Sequence, residues 1–78
     1  MHGLPRQRLN PRKLLLGKWT AVAPRNKEKH FIVVRVLEPA AAGGQVEYVE
    51  LEAVYSRRCT ILPWAVLNDR RHWLQGWC

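Results

Sequence analysis

Seventy-eight residues suffice for one small domain, which buries roughly 60–65% of its unfolded surface, so each large apolar side chain weighs heavily in its stability. Thirteen Lys plus Arg against six Asp plus Glu give a formal charge of +7, pointing to acidic partners. No apolar run reaches the roughly 18 residues that cross a bilayer, and "MHGLPRQRLNPRK" lacks the apolar stretch of a secretory signal, so the expectation is a soluble cytoplasmic protein with no membrane partner.

The charge is uneven. Residues 1–35 hold nine of the thirteen basic residues and one acid, Glu28, whereas 36–78 are nearly neutral. Residues 1–9 show no periodicity and read as a flexible basic arm, leaving 10–78 as a single small β domain. "NPRKLLLG" carries helix punctuation: Asn10 suits the N-cap, Pro11 the first helical position and Gly17 the left-handed position after the last turn. A helix of about one and a half turns is expected there, with leucines 14–16 seeking a surface to cover.

"KWTAV", 18–22, reads as a short strand ended by Pro24, and "HFIVVRVLE", 30–38, as a central strand dense in β-branched residues. "PAAAGGQ" is a loop in which Gly43 and Gly44 are free to take positive φ. In "VEYVELEAVYS", 46–56, Val49, Leu51, Ala53 and Tyr55 alternate with Tyr48, Glu50 and Glu52, so one face is core and the other wet. Arg57 and Arg58 turn into a fourth strand, "CTIL", which stops at Pro63. Trp64–Asn68 then reads as one helical turn, followed by a second turn or irregular segment bearing Trp73. The fold class is mainly β with short helical caps (α+β): an antiparallel three- to four-stranded meander, either a curled sheet or a small SH3-like barrel.

In this order, "NPRKLLLGKWTAV", "EKHFIVVRV", "LEAVYSRR", "LPWAVLND" and "WLQGW" resemble a family of small bacterial tryptophan-rich proteins of unknown function, over about residues 10–77. The chain departs from that pattern in residues 1–9 and at Cys78. The resemblance implies a bacterial, cytoplasmic protein and brings no activity or cofactor with it.

Catalytic and metal chemistry find little support. His2, His30, His72, Cys59 and Cys78 lack the short spacing that presents two ligands from one turn, so no metal site is expected, and both cysteines read as reduced thiols. Glu50 and Glu52, about 6.6 Å apart along a strand, read as a solvated face paired to Arg35 rather than as an acid/base couple. No nucleophile, phosphate loop or cofactor motif is present, and the expectation is a protein that is not an enzyme.

The leading expectation is a binding module for RNA or another polyanion such as a ribosomal surface, with phosphate contacts from Arg12, Lys13, Lys18, Arg25, Lys27 and Lys29. Among these cations Trp19, Phe31 and His30 are candidate stacking residues, Trp19 foremost, at roughly 1–3 kcal/mol per base. The alternative is a protein-interaction or assembly factor anchored by Trp73 and Trp77. Core shortage places Trp64 and Trp73 inside and leaves Trp77 the accessible tryptophan of the tail.

Overall fold

The β-branched and alternating segments form strands in the computed structural model, which describes residues 9–78. Five strands, β1 (Lys18–Arg25), β2 (Glu28–Val36), β3 (Tyr48–Ala53), β4 (Cys59–Pro63) and β5 (Trp73–Gln75), make one open antiparallel sheet in the order β4-β3-β2-β1-β5. A 3-10 turn at Pro11–Lys13 precedes β1, and a second at Trp64–Asn68 joins β4 to β5. The expected arm, residues 1–9, lies outside the described residues except for Leu9, which packs against the core.

One sheet face carries the core. Cross-strand partners share a face, so the pairs Trp19–Phe31, Phe31–Ala53, Val33–Leu51 and Val36–Val49 stack their side chains on the same side. The alternation expected in β3 is present: Val49, Leu51 and Ala53 are buried, and Tyr48, Glu50 and Glu52 face the other way. Tyr55 lies past the strand and is exposed rather than continuing the apolar face. Leu14 and Leu67, from beside the first turn and within the second, cover the core, and Leu67 is 0% exposed.

The sheet curls over this face. Trp73 on β5 reaches past β1 to meet Phe31 on β2 edge-on, with ring centroids 5.2 Å apart. A cleft of about 190 Å³ is lined by Phe31, Leu51, Leu62 and Trp73, with Glu28 and Arg58 also on its wall. Residues from β2, β3, β4 and β5 thus face one another, yet among the described residues no ladder joins β4 to β5. Of the two expected architectures the curled sheet forms and the closed SH3-like barrel does not, because the second 3-10 turn, rather than hydrogen bonding, spans the gap between the sheet's ends. The sheet has five strands where three or four are expected.

β1 runs three residues beyond its expected end at Val22. Pro24 is tolerated because β5 pairs β1 only over Trp19–Ala21, and the β1–β2 register shifts between Thr20 and Arg25. Asn26 (φ 54°) and Lys27 (φ 63°) then close the hairpin between the partners Arg25 and Glu28, the pair of left-handed residues that a two-residue turn of primed type needs.

The first helix is shorter than expected. Asn10 caps it, its Oδ1 accepting from the Arg12 N–H at 3.0 Å, and Pro11 opens it, but only three residues are helical. The chain leaves because Leu16 N–H donates to Val33 O at 2.7 Å and Val33 N–H to Gly17 O at 2.9 Å. The left-handed residue is Leu16 (φ 65°), not Gly17. Gly17 answers a steric demand instead, since a Cβ there would lie 2.8 Å from Leu14 O, a backbone atom. Gly17→Ala should therefore lower stability by about 1–3 kcal/mol, read as a fall in Tm.

Candidate nucleic-acid interface

The charge surface is decided by which cations the acids consume. Arg12 pairs with Glu38 at 3.0 Å, Arg35 with Glu50 and Arg57 with Glu52 at 3.1 Å, Arg58 with Glu28 at 2.6 Å and Arg71 with Asp69 at 3.1 Å. His72 also meets Asp69 at 3.0 Å. Every lysine or arginine partner in these pairs is an arginine, whose planar fork reaches both oxygens of one carboxylate, as Arg58 does on Glu28 and Arg71 on Asp69. Among the described residues Lys13, Lys18, Arg25, Lys27, Lys29 and Arg70 have no acid within ion-pair distance, and of the acids only Glu47 has no cation there.

Five of these six free cations fall into two groups along the chain, and Arg70 lies between the second 3-10 turn and β5. Arg25, Lys27 and Lys29 surround the β1–β2 turn. Lys18 stands at the other end of β1, at most about 23 Å from Arg25 at roughly 3.3 Å per residue, with Lys13 in the turn just before it. Arg12, expected as a phosphate ligand, is engaged by Glu38.

The expected stacking role of Trp19 is overturned. Trp19 is 1% exposed and packs in the core with Leu14, Val33, Val49, Leu51 and Leu67, because its cross-strand partner Phe31 faces the concave side. Phe31 is likewise turned inward against Trp73. Trp64 and Trp73 are half-buried against the core, as expected, with Trp64 Nε1–H donating to Val46 O at 2.9 Å. Trp77 is the exposed tryptophan, at 45%.

Sequence reasoning missed where Trp77 goes. Gly76, at φ +87°, turns the chain so that residues 76–78 lie along β1 and β2. Gly76 N–H donates to Lys18 O at 2.7 Å, Thr20 Oγ1–H to Gly76 O at 2.7 Å, and Cys78 N–H to Thr20 Oγ1 at 3.1 Å. Trp77 Nε1–H donates to Phe31 O at 3.0 Å, its ring lies 5.7 Å from that of His30, and Lys18 Nζ sits 4.8 Å from its centroid. A charged lysine, a histidine and a tryptophan remote in sequence thus share one site. The glycine before Trp77 is the local signal of that turn in the sequence.

A second cluster joins β2 to the β3–β4 turn, residues that no local sequence pattern links. Glu28 is buried and accepts hydrogen bonds from Arg58 and from the Ser56 hydroxyl. The Arg58 contacts first, then Ser56, hold its carboxyl down from an ordinary 4.5 to about 2. With the folded pKa below the unfolded one, the stabilisation is complete above about pH 4.5 and is lost as pH falls toward 2. Tm should fall across that window, and Glu28→Gln should flatten the part of the fall that Glu28 causes. Asp69, held well below the carboxylate range chiefly by Arg71 and then His72, accounts for a further part. Cys59, a free thiol on β4, is pushed up by burial and then by the charges of Glu50 and Glu52, which disfavours its thiolate.

A family model described as "Tryptophan-rich protein (DUF2389)" matches residues 17–78, a span that includes all four tryptophans and both groups of free cations except Lys13. The chain belongs to this family. Neither a curated protein nor a solved structure matches it. In this tryptophan-rich protein the residue type that gives the family its description serves two ends: Trp19, Trp64 and Trp73 build the core, while Trp77 lies on the strands' other side beside Lys18. No helix among the described residues is long and apolar enough to cross a membrane.

Proposed function

We propose that this protein is a non-enzymatic cytoplasmic module that binds RNA, or a comparable polyanion such as a ribosomal surface, through Lys18 on β1 and Arg25, Lys27 and Lys29 at the β1–β2 turn, with Lys13 alongside. The observation that carries this reading is the sorting of charge: five of the six acids are taken by arginines, so among the described residues the positive excess is left on the four lysines, Arg25 and Arg70. A surface charged only for solubility would intersperse both signs around these residues. Lysines suit a phosphate backbone because a point charge on a flexible stem needs no fixed approach angle.

The test is retention of the full chain on single-stranded RNA at about 50 mM salt, followed by a salt titration. Log affinity should fall against log salt with a slope of about −0.7 per phosphate contacted. No retention at the lowest salt overturns the proposal. A partner that survives both nuclease treatment and high salt would replace it with protein docking, in which the half-exposed Trp77 is the anchor and Lys27 and Lys29 are idle.

A further inference from the structure

Trp77 combines two properties that rarely coincide on a small domain. Nearly half of it is exposed, so much of its apolar area brings little burial, yet the residue is fixed in place. Its indole N–H is held by Phe31 O, its neighbours Gly76 and Cys78 are held by Lys18 O and the Thr20 hydroxyl, and His30 adds a ring contact while its Nε2 lies 2.9 Å from Cys78 O. Thr20 is itself buried beneath this segment, so the anchor is internal to the sheet. The Lys18 ammonium lies over the indole and His30 packs against it, yet nearly half of the residue stays open, and an aromatic ring fixed in this way loses little conformational freedom on receiving a flat partner.

The neighbouring charge indicates which flat partner. Lys18 Nζ stands 4.8 Å from the indole centroid and has no acid within ion-pair distance among the described residues. A platform of this kind beside an uncompensated ammonium fits a nucleotide, with the base on the ring and its phosphate on the amine. Bases inside a duplex are stacked on one another and cannot lie on such a ring, whereas unpaired bases can. We infer that Trp77 is the stacking platform for one unpaired base, with Lys18 contacting the adjoining phosphate, so that the protein prefers single-stranded over duplex RNA. This rests on the polyanion reading above and adds the class of strand.

The experiment compares three ligands on the full chain, an unstructured RNA decamer, an RNA duplex of equal length and an abasic single strand of equal charge, each measured on the parent protein, Trp77→Ala and Trp77→Phe. The parent protein should bind the decamer roughly 5- to 150-fold more tightly than the abasic strand. Trp77→Ala should lose that factor on the decamer alone, leaving duplex affinity and salt slope unchanged, and Trp77→Phe should keep part of it. Equal binding of decamer and abasic strand by the parent overturns the inference without any mutation, so a folding defect in Trp77→Ala cannot conceal the answer. An equal loss on decamer and duplex overturns it as well. In both cases a surviving salt slope leaves the polyanion reading standing, whereas absence of any RNA binding by the parent removes both.

Discussion

Trp19→Ala is expected to melt roughly 12–40 °C below the parent protein, leaving little folded chain at 37 °C. Trp19 is 1% exposed and touches the side chains that make up the buried cluster. Truncating so large a buried side chain costs about 3–5 kcal/mol, because a cavity is left that a sheet hydrogen-bonded on both sides of β1 cannot collapse. A chain of this length has only about 4–12 kcal/mol to lose, and each kcal/mol moves Tm by about 4–8 °C. Trp77→Ala gives up one indole hydrogen bond and a half-exposed ring, so its melting point should move only a few degrees. Thermal unfolding followed by far-ultraviolet circular dichroism separates the two tryptophans, and similar melting points for both variants would contradict the placement of Trp19.

That contrast also marks how far the sequence could be read. Local signals were sufficient where local chemistry decides: the Asn10 cap with Pro11 after it, the 3-10 turn over Trp64–Asn68 announced by Pro63, and the two-faced pattern of β3. They were insufficient where the deciding partner is distant. "KWT" offers a strand, but nothing in it says which side chain faces the core. The register with Phe31 and His30 settles that, sending Trp19 inward and placing Thr20 beneath Gly76–Cys78. β5 is only three residues long and exists because β1 offers an edge to pair with. The same limit applied to charge. A count of cations in residues 1–35 includes Arg12, whose partner Glu38 is 26 residues away. Of the proposed phosphate ligands the fold keeps the lysines and Arg25 free, and the exposed aromatic beside Lys18 is Trp77, not Trp19.

The charge reversal Lys27→Glu/Lys29→Glu should have the largest effect on binding. If Lys18, Arg25, Lys27 and Lys29 each meet one phosphate of a single strand, the salt slope is about −2.8, and affinity falls about 50-fold between 50 and 200 mM salt. Removing two contacts halves the slope to about −1.4, so the same change in salt weakens the variant only about 7-fold. The decisive quantity is therefore the slope as well as the affinity at one salt concentration, because misfolding lowers affinity without producing a halved slope in the protein that remains. Both positions are exposed and without ion pairs among the described residues, and Lys27 occupies the turn itself, so the reversal breaks no buried contact. Glu at position 27 must hold the same positive φ as lysine does, which leaves the hairpin's backbone strain nearly unchanged. Reversal of Arg57, already paired with Glu52 on β3, supplies the control: it removes a cation that the fold has neutralised, and it should leave the slope near −2.8. A slope that responds equally to both changes would mean that net charge alone governs binding, and the hairpin would lose its assignment.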